Sequence, residues 1–142
     1  MPNYTYFTLR ELTNSSVAEK NKIDNTPSFE VVEHLSELVD KILEPMRAAY
    51  GKAITVTSGY RCAVLNKAVG GVANSAHIYG YAADLRASDM AGFKKFVREW
   101  LISQRVRFDQ CILESNGSTE WVHVGLYSPS GAQRGKIFTM NV

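Results

Sequence analysis

The stretch Ser75-Ala-His-Ile-Tyr-Gly-Tyr-Ala-Ala-Asp84 restricts the fold of this chain more than any other. It sets His77 and Asp84 seven positions apart around Gly80, itself held between two tyrosines. On one flat strand an odd spacing sends two side chains to opposite faces. A continuous helix would bring them together, but a glycine between tyrosines argues against a helix interior. A loop remains: His77 on its outer limb, a bend at Gly80, and Asp84 entering the strand that follows. A second histidine, His123, closes Glu120-Trp-Val-His123 in the middle of a strand-like run. Two imidazoles and one carboxylate form a three-donor set able to hold a zinc ion and leave its fourth position open to water. Taken singly, each residue has an ordinary alternative, as a core or surface histidine or as an aspartate that caps a strand. His34 belongs to that ordinary class, on the polar side of a long helix.

The surrounding pattern predicts where these residues sit. Residues 1–26 are polar, rich in Asn, Ser and Thr, with one apolar patch at Tyr4–Leu12. They read as an extended N-terminal arm wrapped on a domain of residues 27–142. Thr26-Pro27 reads as a helix cap followed by proline at the first helical position. Val31, Leu35, Leu38, Ile42, Met46 and Ala49 then recur at helical spacing, with Pro45 expected to kink the last turn and Gly51 to end it. Ile54–Thr57 reads as a strand closed by a Ser58-Gly59 turn, and Arg61–Val69 as a short helix stopping at Gly70-Gly71. Ala82–Arg86 reads as a strand. Ser88 is placed as the cap of a helix burying Met90, Phe93, Val97 and Trp100 or Leu101. Arg107–Glu114 and Thr119–Tyr127 form a hairpin through Asn116-Gly117, and Lys136–Met140 an edge strand. Helices flanking a mostly antiparallel sheet give the α+β class.

Length and charge exclude several functions. At 142 residues the chain makes one domain with a real core. A net charge of +2 with no basic stripe argues against nucleic acid, while remaining compatible with an anionic polymer such as a cell wall. Cys62 and Cys111 are far apart, outside any Cys-x-x-Cys pair, and read as buried free thiols. No apolar run reaches the length of a membrane span. Met1–Leu12 lacks the charged start and apolar core of a secretory signal, so the chain as given is expected in the cytoplasm, as a monomer.

Ser75-x-His77-x-x-Gly80-x-Ala82-x-Asp84, followed by Glu120-x-x-His123, resembles the zinc D-Ala-D-Ala carboxypeptidases and dipeptidases and their phage L-alanyl-D-glutamate endopeptidase relatives. Thr57-Ser58-Gly59-Tyr60-Arg61 resembles the family's Ser-Gly-Tyr-Arg segment. Phe108-Asp109-Gln110 and Trp121-Val122-His123-Val124 are similar to the ending of its compact single-domain branch. Together these segments span about residues 28–127. The resemblance implies a hedgehog/DD-peptidase-like fold over residues 27–142, zinc bound by His77, Asp84 and His123, and a water deprotonated by a glutamate to attack a peptide carbonyl. It also implies that Arg61 steadies the oxyanion or a substrate carboxylate, and that Ser75 lies near the substrate end of the pocket.

The resemblance places Glu120 first as general base, three positions before His123. Strand geometry offers Glu114 as the rival. A hairpin pairing Ser115 with Ser118 puts Glu114 opposite Thr119 on the face of His123, and turns Glu120 away unless the strand bends. The substrate implied is the peptidoglycan stem peptide, cut next to a D-amino acid, either at D-Ala-D-Ala or at L-Ala-D-Glu. A wall enzyme lacking a leader fits an endolysin released by a phage lysis system. Two other functions share these residues: a non-catalytic, zinc-stabilised wall-binding module, and a zinc amidase cutting the sugar–peptide link.

Overall fold

The computed structural model describes residues 1–142. Its centre is a five-stranded sheet in the order β1-β2-β4-β3-β5, built from β1 (Thr55–Ser58), β2 (Ala82–Arg86), β3 (Gln110–Ser115), β4 (Glu120–Gly125) and β5 (Lys136–Asn141). The first four strands pair antiparallel, and β5 runs parallel to β3 at the edge. With six helices beside this sheet the fold is α+β, as expected. No helix is long and apolar enough to cross a membrane.

Alternation along the strands separates the two faces of the sheet. Ala83 and Leu85 of β2, Cys111 and Leu113 of β3, and Val122 and Val124 of β4 enter one hydrophobic core. They meet Leu35, Leu38, Ile42 and Met46 from the long helix and Phe93, Val97 and Leu101 from α6 (Met90–Ser103). The opposite face is left to Asp84, Ile112, Glu114, Trp121 and His123, in directly opposed pairs Asp84↔His123, Ile112↔His123 and Glu114↔Trp121. Burial on one side thus dictates which residues stand on the other.

The long helix is α3 (Phe29–Leu38), a π-helical segment (Val39–Leu43) and α4 (Glu44–Tyr50) in one run. It begins two residues later than the sequence suggests. Ser28 is its cap, accepting from the Val31 N–H at 3.2 Å, because the Thr26 hydroxyl and N–H are both taken by Asp24. Pro45 has no N–H to donate into the preceding turn, and the wide turn just before it absorbs the loss. Gly51 caps the end at φ 74°, a backbone conformation that side chains disfavour. In α6 the cap is Asp89 rather than Ser88, accepting from the Gly92 N–H at 3.0 Å.

Residues 1–26 correct the expectation of an extended arm. They contain α1 (Leu9–Thr13) and α2 (Ser16–Lys20), each capped by a hydroxyl, Thr8 and Ser15. Phe7 and Leu12 belong to the same core as the sheet. The apolar patch at Tyr4–Leu12 is therefore buried by short helices, which a window of a few residues cannot distinguish from extended chain. At the other end, Asp109 is buried and takes a two-pronged hydrogen bond from Arg134, Nε at 2.7 Å and Nη2 at 2.8 Å. That pair ties the β4–β5 connection to the start of β3. Both cysteines are free, Cys62 half-buried and Cys111 buried, with burial pushing the Cys111 thiol up to about 12.

Because Leu12 is fully buried in the shared core, Leu12→Ala should cost about 3 kcal/mol of stability in urea denaturation. A loss within about 0.5 kcal/mol, typical of surface positions, would place α1 outside the cooperative unit.

Candidate metal centre and active site

His77 stands on a 3₁₀ turn, Ala76–Tyr79, capped by the Ser75 hydroxyl, which accepts from the His77 N–H at 3.2 Å. Gly80 ends that turn at φ 75° and packs against Val31 and Leu35, where a side chain would collide. His34 helps to hold the same loop: its Nδ1–H donates to the Tyr79 carbonyl at 2.7 Å and its ring packs on Tyr81. The chain then enters β2, whose third residue is Asp84. Loop, bend and strand follow the order expected. A bulge in β1 between Val56 and Ser58 lies opposite Asp84, the kind of local break that re-aims side chains beside functional sites.

His77, Asp84 and His123 come together, with their donor atoms all within 4.8 Å of one another. His77 Nε2 is 3.3 Å, and His123 Nδ1 is 2.9 Å, from the same Asp84 oxygen. The other nitrogen of His77, Nδ1, is 2.7 Å from the Gly59 carbonyl. A carbonyl only accepts, so Nδ1 carries a proton, and Nε2 meets the carboxylate either as a second N–H or, without that proton, as a lone pair. Two acceptors in that position need a cation between them, either a proton or a metal ion. Donors about 2.1 Å from a tetrahedral ion stand roughly 3.4 Å apart, which the His77–Asp84 separation of 3.3 Å matches, while His123 and Asp84 are closer, at hydrogen-bond distance. The bond from Nδ1 to a backbone carbonyl is the outer contact that metal-ligating histidines use to fix ring orientation. The three residues therefore fit a divalent metal of the zinc type. Burial alone would push the Asp84 carboxyl up, but the charges and hydrogen bonds of His77 and His123 outweigh it and hold it well below the usual carboxylate range.

Arg61 follows the Gly59-Tyr60 turn and is largely buried. Its Nη2 reaches only the Ser75 hydroxyl, at a long 3.5 Å, and its Nε has no partner. Burial pulls the guanidinium down while the charges of Asp84 and Glu114 hold it up. A guanidinium remains charged at any working pH, so the site keeps a cation with unused donors. Ser75 is itself buried, its oxygen shared between the His77 N–H and Arg61. It thereby links the His77 turn to the guanidinium.

The two glutamates stand on opposite faces of the sheet. The hairpin closes with a four-residue turn, Asn116–Thr119, so Ser115 pairs with Glu120 and Glu114 with Trp121. The register moves by two residues from the pairing of Ser115 with Ser118, which leaves the faces unchanged. Glu120 lies on the core-side face, exposed at the strand end, bonded to Lys94 of α6 at 2.6 Å. Nothing bends β4 enough to bring it round to His123. Glu114 stands on the His123 face and accepts from the Trp121 indole N–H at 2.9 Å. Burial, with the nearby Asp84 charge, raises its carboxyl above the usual range, and His123, Trp121 and His77 pull only part of the way back.

Three partners escaped sequence reasoning: the Gly59 carbonyl behind His77, the Trp121 indole on Glu114, and the Lys94 ammonium on Glu120. Strand alternation carried a signal for the second, since residues opposed across a hairpin share a face. Nothing local marks the first, which joins residues 18 apart through a backbone atom.

Comparison with known proteins agrees with this geometry. The peptidase M15 family model matches residues 5–125. A zinc D-Ala-D-Ala carboxypeptidase of Streptomyces albus G is 54% identical over 46 residues, covering 32% of this chain. The chain spans 18% of the length of that relative.

Zinc added to chelator-treated protein should bind at one ion per chain and raise the melting temperature, worth about 2.7 kcal/mol at a hundredfold excess over Kd. His77→Ala and Asp84→Asn should each abolish the rise in differential scanning fluorimetry. An undiminished rise in both variants would place the metal elsewhere.

Proposed function

The chain belongs to the peptidase M15 family, and from that premise we propose that it is a zinc-dependent peptidase of peptidoglycan, cutting a stem-peptide bond next to a D-amino acid. The observation carrying this reading is that His77, Asp84 and His123 share one face of the site with an underused guanidinium, Arg61, and a carboxylate of raised pKa, Glu114. In this reading His77, Asp84 and His123 are the zinc ligands. Zinc held there supplies a Lewis acid for the scissile carbonyl and lowers the pKa of water toward neutrality.

The chain's own groups account for the remaining steps. Glu114 is the general base: burial and the Asp84 charge raise its carboxyl above the usual range, which favours a group that must both take up and return a proton. It takes the proton of the attacking water and returns one to the leaving amine. The Trp121 N–H holds the carboxylate in orientation. Arg61 offers two parallel donors to a carboxylate or a developing oxyanion.

That guanidinium also narrows the substrate. In D-Ala-D-Ala the leaving residue carries a free α-carboxylate. In a stem peptide whose D-Glu is linked onward through its side chain, the leaving D-Glu carries one as well. Arg61 reads the feature these two bonds share. The carboxypeptidase of Streptomyces albus G, by its name, acts on the first, and we take D-Ala-D-Ala as the leading substrate, with L-Ala-D-Glu as the second reading.

Digestion of defined muropeptides, read by mass with and without chelator, should show loss of a terminal D-Ala, or else a new free D-Glu amine. New lactyl-acid and L-Ala termini would mean an amidase instead, and turnover surviving complete metal removal would exclude the mechanism. Glu114→Gln should lower kcat by 10²-fold or more, on the order of what a general base contributes, with zinc retained. Glu120→Gln should stay near wild type. The reverse result would return the role to Glu120.

The acid limb of the pH profile gives a further check. If activity requires ionised Glu114, it is lost as pH falls through the pKa of that carboxyl. Trp121→Phe removes a hydrogen bond made to the charged form, so it raises the pKa and should move the limb to higher pH. A limb that stays put or moves down would detach Glu114 from the base role.

A further inference from the structure

We propose that Asn25, in the segment between α2 and α3, is a positioning residue that fixes the backbone on both sides of Arg61 and makes the N-terminal segment a wall of the site. Its catalytic part rests on the peptidase reading above. Asn25 has one amide side chain with two N–H donors and one carbonyl acceptor, and all of these are used. Nδ2 donates to the Thr13 carbonyl at 2.9 Å and to the Tyr60 carbonyl at 3.0 Å. Oδ1 accepts from the Cys62 N–H at 2.8 Å. Tyr60 and Cys62 are the neighbours of Arg61, so one side chain grips the turn before and after the guanidinium-bearing residue.

The same turn is held from two more directions. The Tyr60 N–H donates to the Leu12 carbonyl at 2.7 Å, and the Arg61 N–H to the His77 carbonyl at 3.1 Å. Gly59 lies so close to Leu12 that a Cβ there would fall 2.2 Å from the Leu12 oxygen. That contact is with backbone, which cannot swing aside, so only glycine lets the N-terminal segment approach. The Gly59 carbonyl, in turn, is the acceptor that orients His77. The path from Asn25 therefore reaches Arg61 directly through its flanking peptides, while the Leu12 contact is what stands against Gly59, whose carbonyl orients His77.

No other side chain in the N-terminal segment bonds to this turn. Asn21 makes a bond of the same kind, Nδ2 to the Val17 carbonyl at 2.9 Å, but stays within its own helix end. It is thus a matched control for the loss of one asparagine from this segment. Asn25→Asp keeps the shape but removes both donors and sets an anion against two carbonyls. Asn25→Ala removes all three bonds, and Asn25→Gln keeps the chemistry on a longer stem.

Backbone hydrogen exchange and steady-state kinetics on the full chain test the proposal together. In Asn25→Ala, Asn25→Asp and Asn25→Gln the amides of residues 60–62 should exchange at least about tenfold faster, while those of β2 and β4 keep wild-type protection. The value of kcat/KM for the wall peptide should fall roughly tenfold or more, the usual scale for outer contacts of a site, with zinc still bound at one per chain. Asn25→Ala combined with Arg61→Ala should be no slower than Arg61→Ala alone, since both act through one group. Asn21→Ala should match wild type in both measurements.

Unchanged exchange at residues 60–62, rate losses that multiply in the double variant, or an equal loss in Asn21→Ala would each overturn the proposal. If the unsubstituted protein cleaves no wall peptide, the peptidase reading fails by itself. The exchange pattern then still decides whether Asn25 holds the Arg61 turn. If Asn25→Ala does not fold, the milder Asn25→Gln carries the exchange measurement.

Discussion

Placing Asp84 directly opposite His123 across β2 and β4 is the constraint on which the rest of the site depends. Side chains alternate along strands with a period of two, so a slip of one residue would send both groups into the core. What prevents the slip is hydrophobic: Ala83, Leu85, Val122 and Val124, one position removed from the ligand candidates, are all fully buried. Moving them to the solvent face would cost roughly 1.5–3 kcal/mol for each large aliphatic side chain. The core under the sheet therefore acts on the chemistry above it without touching it. The helices supply the apolar surface that makes one register the only affordable one.

Against that rigid pair, His77 must be brought in from outside the sheet, and the chain spends many polar contacts on doing so. Ser75 caps its turn, Gly80 ends it, His34 holds the next carbonyl, and Gly59 receives Nδ1. Each contact removes a degree of freedom from a loop that would otherwise sample many conformations, at an entropic cost of about 1–2 kcal/mol per fixed residue. The result is a half-buried carboxylate set between two imidazoles. A charge in that place is tolerable only with opposite charge beside it, because an isolated buried carboxylate would take up a proton instead. The site is thus shaped around a cation before one arrives.

Much of this was legible in the sequence, for a reason that also explains what was not. The loop–bend–strand path from His77 to Asp84 followed from local rules: odd spacing, a glycine, and a β-rich run whose bounds, Ala82–Arg86, are those of β2. The α+β class and most of the buried faces of the two long helices followed from periodicity, although Ala49 is exposed and the π-helical turn buries Val39 and Leu43 as well. The placement of Glu114 and Glu120 was half legible, because parity put Glu114 with His123 whatever the turn length, while motif spacing pointed to Glu120. The structure puts Glu114 on the His123 face, as parity has it, and Glu120 on the far face, bonded to Lys94 of α6. The N-terminal segment was misread because its short helices are stabilised by burial of Phe7 and Leu12 against distant residues. Helices of five residues have almost no stability of their own, so no local signal announces them.

The same distinction separates the site's two charged helpers. Glu114 is held by a neighbour in its own hairpin, Trp121, so its environment is written in adjacent strands. Arg61 is held by the backbone of a turn that is gripped from residues 12 and 25, far away in sequence. The role proposed for Glu114 needs a carboxylate held in a fixed position, and a rigid hairpin provides that. A guanidinium that meets an incoming carboxylate must instead keep donors free in a mostly buried place, where any nearby side-chain partner would consume them. Fixing Arg61 through its backbone rather than its side chain resolves that conflict: the turn is immobile, yet Nε remains unpaired. In this fold the N-terminal segment is where the rigidity comes from.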